Sequence, residues 1–337
     1  ALLEGVTDLP RERLIRAVEE LVRPGLVEER EEGGALLLEF RHPLTRETLY
    51  QRLSLTRARV LHGVVAEGLE RLYGARAPEH ADELAYHFAA AGASPDDARA
   101  AVYLAEAGRA ALRRHADREA ADYLDAAVRR IAPGTPDREP EETPDLDPTD
   151  RVPDVRELRR ELARARGRMG HHEDAGRIWT ELLEEAEAAS DAEGAAQAHR
   201  HLGLIAYWTG RHETALGRYD AALEALAEPN PGLRIRLHVS AGLALQELGR
   251  SAEGRARAEQ ALELAAELGD TALLGRVHRA LALLLAFTGD ADRAREHGWL
   301  AVELAERAGD QHLAFWGRWA LASLEGFVGG PGAMERL

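Results

Sequence analysis

The sequence predicts a mainly α-helical fold: an α-solenoid of stacked helical hairpins with a period of about 40 residues, preceded by a small winged-helix α+β domain. Five glycines mark the repeat at separations of 40, 39, 40 and 40 residues: Gly170, Gly210, Gly249, Gly289 and Gly329. Each lies between two segments whose apolar residues recur with helical spacing. The composition agrees, since Ala, Leu, Arg and Glu dominate and only 5% of residues are aromatic.

Residues 1–73 have a different pattern, which predicts the winged helix. Pro10 begins an amphipathic helix that ends at Pro24. Two short β-forming runs follow, at 26–29 and 36–40, with a glycine turn between them. Helices at 44–53 and 56–72 complete the domain. The apolar spacing of the second helix predicts that its buried face consists of Val60, Leu61, Val64, Val65 and Leu69.

The rest of the chain predicts helix pairs with one interruption. Residues 74–131 are predicted to hold the first pairs, including helices at 98–113 and 118–131. Residues 132–154 contain six prolines and eight acidic residues, which predicts a disordered loop because proline blocks a helix and like charges repel. Pairs resume at 155 and continue to 337, where the last repeat is truncated. Close helix approach is predicted at small residues of the second helices: Ala120, Ala175, Ala215, Gly254 and Ala294.

The repeats resemble tetratricopeptide repeats lengthened from about 34 residues. Leu202 and Gly203, which precede Gly210, match the small-residue crossing of that motif. By analogy with other tetratricopeptide stacks, positions 13, 10, 6, 3 and 2 residues before each turn glycine lie on the inner face of the first helix. Arginines and aromatics at the 13-, 10- and 2-back positions are candidates for a binding groove: Arg160, Arg200, Arg236, Arg276, Arg279, Trp208, Phe287, Trp316 and Trp319.

This groove predicts an anionic or aromatic partner, because guanidinium groups pair with carboxylates or phosphates and stack on rings. The alternative is that arginine is simply the cation this chain uses and the aromatics belong to the core or the cap. Histidines recur 11 residues before the turn, at His199, His238 and His278. Equivalent positions of stacked helices are about 10 Å apart, so we expect structural packing, with pH sensing as the alternative, and no shared metal ion.

The N-terminal segments also resemble those of STAND ATPases, a family of multidomain regulators that includes the maltose regulator and the large ATP-binding LuxR-family activators. The similar segments are residues 21–27, residues 40–44 with Glu47 and Tyr50, the positions Arg57, Arg59, Leu61, His62 and Ala66, and residues 80–88 with Ala91 and Gly92. The resemblance implies a winged-helix linker followed by a tetratricopeptide-like sensor. It implies that an ATPase module lies before Ala1, that this chain is a fragment without a cofactor, and that Arg41 and His42 contact the module.

Composition excludes several classes of function. All 43 basic residues are arginine, so the chain lacks the lysine of a P-loop. A net charge of -16, and -2 for residues 1–73 (11 arginines against 13 acids), disfavours direct nucleic-acid binding. The sequence shows no signal peptide and no membrane-spanning run, so we expect a cytoplasmic protein without membrane contact. Serine-elbow and HExxH motifs are missing, so we expect no enzyme activity in this chain.

The sequence therefore favours the regulatory arm of a signal-transducing STAND ATPase, most simply a transcription activator, with an effector small molecule, protein or peptide on the concave repeat face. Two alternatives remain open. One is a tetratricopeptide scaffold that binds a peptide or protein without switching, and the other is the regulatory arm of a kinase or cyclase.

Overall fold

The computed structural model describes residues 2–7, 9–32, 34–91, 98–131, 153–226 and 230–328. In this part of the chain the fold is mainly α-helical, with one two-stranded antiparallel sheet. The chain divides into two compact units, residues 1–169 and 170–337. The predicted boundary at residue 73 lies inside the first unit and stays a prediction.

The elements of the first unit follow the predicted order. They are α1 Leu2–Val6, α2 Arg11–Val22, β1 Val27–Glu32, β2 Ala35–Phe40, α3 Pro43–Gln51, α4 Leu55–Tyr73, a 3-10 helix Gly74–His80, α5 Ala81–Ala91, α6 Ala98–Arg113, α7 Asp117–Arg130 and α8 Val155–Arg168. The second unit consists of α9 His172–Ala188, α10 Ala192–Trp208, α11 His212–Ala225, α12 Pro231–Glu247, α13 Ser251–Leu268, α14 Thr271–Phe287, α15 Ala291–Arg307 and α16 Gln311–Val328.

The N-terminal part of the first unit has the helix–hairpin–helix order expected of a winged helix. Strands β1 and β2 pair in antiparallel register from Val27 opposite Phe40 to Glu32 opposite Ala35. Neither α2 nor α3 contains a buried residue, however. The assignment of this segment as a winged helix therefore stays a prediction.

Helix α4 buries only part of the predicted face: Leu69 is buried as expected, and Val64 and Val65 are half-buried. Val60 and Leu61 are 55% and 37% exposed, so the expectation that they are buried was wrong. The buried residues are His62, Ala66, Gly68 and Leu69. The reason is that α4 packs between α1 and α5, and this rotates its buried face toward the small residues.

Helices α6, α7 and α8 form the main core of the first unit. Small residues let them approach closely, and Ala120 and Ala127 of α7 are fully buried. A partly buried ion pair joins α6 to α8, with Arg109 Nε 3.1 Å from Glu161 Oε1. The Asp154 carboxylate caps the N-terminus of α8 by accepting the N–H of Arg156 at 2.9 Å. The predicted loop at 132–154 lies outside the described residues, apart from its last two.

The second unit confirms the repeat. Gly210, Gly249 and Gly289 end the first helices of three hairpins with φ of 74°, 74° and 84°. No atom lies within 4 Å of where a Cβ would stand at these positions, so the positive φ, and not crowding, requires glycine. The hairpins α10–α11, α12–α13 and α14–α15 each pack tightly and stack on one another. Gly329 lies outside the described residues.

Small residues lie where the helices cross and allow close approach, as predicted. Ala175, Ala215 and Ala294 are at most 1% exposed. In the α12–α13 hairpin, two glycines face each other across the crossing. A Cβ built on Gly242 would lie 2.8 Å from the carbonyl oxygen of Gly254, and one built on Gly254 would lie 2.7 Å from that of Gly242. The two backbones are therefore in direct contact.

Candidate ligand-binding pocket

A pocket of about 330 Å³ opens in the second unit, between the first helices of three consecutive repeats. Helices α10, α12 and α14 pack side by side, so residues one repeat apart along the sequence become neighbours. The lining consists of Arg200, Leu204, Tyr207 and Trp208 of α10, Tyr219 of α11, Ile235, Arg236, Val239, Ser240 and Leu243 of α12, and Leu273, Arg276 and Arg279 of α14.

The pocket lining has four arginines and, among the residues described, no acidic side chain. Arg276 donates from Nη2 to the carboxylate of Asp310 at 3.1 Å. No carboxylate of the described residues lies within ion-pair distance of Arg236 or Arg279. Burial, followed by repulsion from Arg276, lowers the pKa of Arg279 and of Arg236. Both stay charged near neutral pH, because an arginine side chain does not lose its proton there.

Aromatic groups form the other wall. Trp208 is 70% exposed, and the ring of Tyr207 contacts it edge-on, with centroids 5.6 Å apart. The Tyr207 hydroxyl donates a long hydrogen bond of 3.5 Å to Glu247. Burial and the Glu247 charge raise the pKa of Tyr207, so its hydroxyl remains protonated. This wall offers a ring surface next to the guanidinium groups.

The structure brings together five of the predicted groove residues and leaves the other four elsewhere. Arg200, Arg236, Arg276, Arg279 and Trp208 line the pocket. Three aromatics of the second unit do not line it: Phe287 is 63% exposed, and Trp316 and Trp319 contact each other on α16 with centroids 5.6 Å apart. Arg160 lies on α8 of the first unit. A binding role for all nine stays a prediction.

The two candidate contacts to an ATPase module lie beside the hairpin of the first unit. Arg41 forms an ion pair with Glu28 of β1, with Nε 3.0 Å from Oε1. His42 is the residue that precedes α3. Their contact with another module stays a prediction.

Sequence reasoning missed several pocket residues. Tyr207 lies three residues before Gly210, one of the inner-face positions, so the repeat register could have identified it. Tyr219 belongs to a second helix and fills the space left by Gly203, where a Cβ would lie 2.4 Å from its ring. Ser240, the hydrogen-bond partner of Tyr219, lies between inner-face positions. No signal along the sequence places these two residues in the pocket.

Two of the recurring histidines, His199 and His278, pair within their own hairpins. His199 lies 3.3 Å from Nη1 of Arg218, and His278 Nδ1 lies 2.8 Å from His297 Nδ1, each pair 19 residues apart. His238 lies close enough to Arg257, also 19 residues later, for that charge to help lower its pKa after burial. The described residues contain no group of three metal-ligating side chains. His199 and His278 therefore contact the second helix of their hairpin, while Nδ1 of His238 is buried with no hydrogen-bond partner among the described residues.

The His278–His297 pair is expected to make stability fall in mild acid. Burial and then the charge of His297 lower the pKa of His278 to about 4, while Glu296 opposes this shift. Burial and the charge of Arg293 lower the pKa of His297, and Glu296 and Asp290 oppose it. Because the unfolded side chains titrate near about 6.5, the stabilisation is complete above that pH and is lost progressively as the pH falls toward about 4.

Urea denaturation of the chain across this pH range would measure the effect. We expect His278→Gln to flatten the dependence of the free energy of unfolding on pH. The control His171→Gln, at an exposed turn position, should keep the wild-type slope. An unchanged slope in His278→Gln would contradict the assignment.

Among the described residues, no helix has the length and apolar character needed to cross a membrane. No protein-family model and no curated protein matches the sequence. Solved structures do match. A STAND protein with a tetratricopeptide repeat sensor from Pyrococcus horikoshii has 15% identity over 96% of this chain and 50% of its own, with a TM-score of 0.49.

A Rap protein in complex with competence and sporulation factor has 14% identity over 86% of this chain and 79% of its own, with a TM-score of 0.46. A tetratricopeptide repeat protein from Thermus thermophilus has 21% identity over 66% of this chain and 98% of its own, with a TM-score of 0.45. These likenesses concern the fold alone. The chain is a mainly α-helical protein of tetratricopeptide-like repeats.

Proposed function

We propose that this chain is the sensor region of a cytoplasmic signal-transducing STAND ATPase whose output is transcription activation, and that an effector or partner binds in the arginine-lined pocket. The observation that carries the proposal is the convergence of Arg200, Arg236, Arg276 and Arg279 from three consecutive repeats on one cavity. The assignment to STAND regulators rests on the sequence resemblance of residues 21–92.

The geometry suits binding better than chemistry. Acid–base catalysis needs a carboxylate, histidine or similar group within hydrogen-bond reach of substrate. The described lining offers arginines, tyrosines and one serine, and that serine hydrogen-bonds Tyr219. Such a set can neutralise and orient a ligand, but it lacks a base that would activate the serine hydroxyl.

Binding in this pocket would couple three repeats. A ligand that contacts α10, α12 and α14 at once favours the arrangement in which these helices are correctly spaced. It can shift the population of that arrangement only by the difference in its affinity for the two states. In the proposed regulator, this shift in population would change the activity of the ATPase module.

A scaffold that binds a partner without switching is the second candidate function. The observation in its favour is the exposure of large aromatics on the first helices of the second unit, among them Trp208, Phe287, Phe315 and Trp319. Exposed aromatics of this kind are common at protein-binding surfaces. The two functions differ in whether the ligand changes ATP turnover by the full-length protein.

The proposal predicts a ligand that protects the pocket helices. A thermal-shift screen of metabolites and peptides against this chain should yield a binder, and amide hydrogen exchange should then slow in α10, α12 and α14. Arg200→Ala with Arg279→Ala should weaken binding at least about tenfold, because charge-assisted contacts are lost.

Arg293→Ala, on α15 outside the pocket lining, is the matched control and should bind normally. Protection confined to other helices, or full affinity in the double variant, would refute a ligand site in this pocket. With the full-length protein, a bound ligand that leaves ATP turnover unchanged would favour the scaffold.

A further inference from the structure

We infer that the pocket of the second unit recognises an oxyanion, a carboxylate or a phosphate group, carried on a small aromatic or apolar body. This inference rests on the proposed function, in that it takes the pocket to be a ligand site, and it adds the chemical class of the ligand. The shared chemistry could come from a free small molecule or from the terminal residue of a peptide.

The positive charge of the pocket is only partly compensated by the described residues. Three carboxylates near the pocket are already engaged: Asp310 pairs with the pocket's Arg276, Glu247 accepts from Tyr207, and Asp270 accepts the N–H of Leu273 at 3.0 Å as the cap of α14. Asp310 also caps α16, accepting the N–H of Leu313 at 2.9 Å. Asp270 and Asp310 cap helices, and Glu247 accepts from the Tyr207 hydroxyl. None of the three can move further into the pocket without breaking a cap or a hydrogen bond.

Arg236 and Arg279 are therefore left facing Arg276 without an ion-pair partner among the described residues. Like charges at short range repel, and partial burial strengthens the repulsion by lowering the local dielectric constant. An oxyanion bound among the three guanidinium groups would offset this repulsion and add charge-assisted hydrogen bonds. The planar guanidinium fork matches carboxylate and phosphate oxygens in particular.

The rest of the pocket specifies the body of the ligand. Leu204, Leu243 and Val239 line it, and the Tyr207 and Trp208 rings stand beside the arginines. A volume of about 330 Å³ is at the lower end of the range for ligand pockets, so the bound group is small. A ring or branched aliphatic group would fill the apolar part while its anion meets Arg236 and Arg279.

Matched probes can test this inference on the intact chain. N-acetyl-phenylalanine and phenyl phosphate carry the anion, while N-acetyl-phenylalaninamide and phenol are their neutral counterparts. A peptide ending in phenylalanine, with a free or an amidated C-terminus, represents the peptide source. Calorimetric titration should show binding of the anionic probes and a loss of about tenfold or more for each neutral counterpart.

Variants locate the binding. Arg236→Gln and Arg279→Gln should each weaken the anionic probes about tenfold or more and leave the neutral ones unchanged. Arg279→Lys keeps the charge and the fold but lacks the fork, so it should show an intermediate loss. Arg255→Gln is the control, because Arg255 pairs with exposed Glu259 on α13, outside the lining.

The outcomes are distinct. Tighter binding of the free-acid peptide than of the small probes would support the inference and assign the source to a partner chain, and equal binding would support it and assign a free metabolite. Neutral probes that bind the pocket as tightly as the anions would overturn the inference while leaving the proposed function standing. Failure of every anionic probe at up to about 10 mM, or full affinity in Arg279→Gln, would also overturn it.

Discussion

Gly242→Ala is expected to lower the free energy of unfolding of the second unit by about 1–3 kcal/mol, the typical cost of overpacking a core. Its new methyl group would stand 2.8 Å from the backbone oxygen of Gly254. That neighbour is main chain and cannot rotate away, so α12 and α13 must separate. Urea denaturation followed by circular dichroism would measure the loss, and Gly254→Ala should produce one of similar size.

Gly217→Ala supplies the matched control for this crossing. Gly217 is an exposed residue within α11, and no atom lies within 4 Å of its Cβ position. The same substitution there should stabilise the helix by about 0.5–1 kcal/mol, because alanine is the better helix former. Equal stability of the Gly242→Ala and Gly217→Ala variants would show that the two backbones do not meet.

Arg109→Met is expected to destabilise the first unit by about 3 kcal/mol, because it leaves the Glu161 carboxylate buried without its partner. The side chain of Glu161 is 9% exposed, and Arg109 Nε lies 3.1 Å from it. Burial already raises the pKa of Glu161 despite the attraction of Arg109, so the ionised carboxylate opposes folding once the pH exceeds its ordinary pKa. The loss in Arg109→Met should therefore be largest near neutral pH and shrink in acid.

Two further variants separate charge from packing at this ion pair. Arg109→Met combined with Glu161→Leu removes both charges and should recover most or all of the stability. Arg76→Ala breaks an ion pair whose side chains are both well exposed and should change stability by less than about 1 kcal/mol. A full loss in the double variant would mean that packing or the Arg109 pairs with Glu106 and Glu157, and not the orphaned Glu161 charge, explain the effect.

The repeat could be predicted from sequence because its determinants are local. Positive φ demands glycine at Gly210, Gly249 and Gly289, and helical spacing records which residues share a face. The same register predicted Arg236 and Arg276 on equivalent inner positions, and the structure places both in one pocket.

The features that sequence did not reveal depend on how helices cross. Periodicity identifies a face but not its neighbour, which is why Val60 and Leu61 were expected in the core and are exposed. The approach of Tyr219 to Gly203 and the contact of His278 with His297 join separate helices, so the apolar periodicity of one helix does not predict them. Phe287 occupies a predicted inner-face position, yet it lies outside the pocket.

The contacts that His199 and His278 make within their own hairpins affect how the array of repeats can change in length. The α10–α11 and α14–α15 hairpins each carry both members of their own polar pair, so gaining or losing another forty-residue copy by gene duplication leaves these two histidines paired. The arginine-lined pocket differs from these histidine pairs, because its four arginines come from three successive repeats. A copy inserted between α11 and α12 would divide the four guanidinium groups, whereas growth beyond α15 would leave them adjacent. In the proposed sensor, selection for ligand binding would conserve the repeats that hold α10, α12 and α14 and would leave the repeats beyond α15 free to vary.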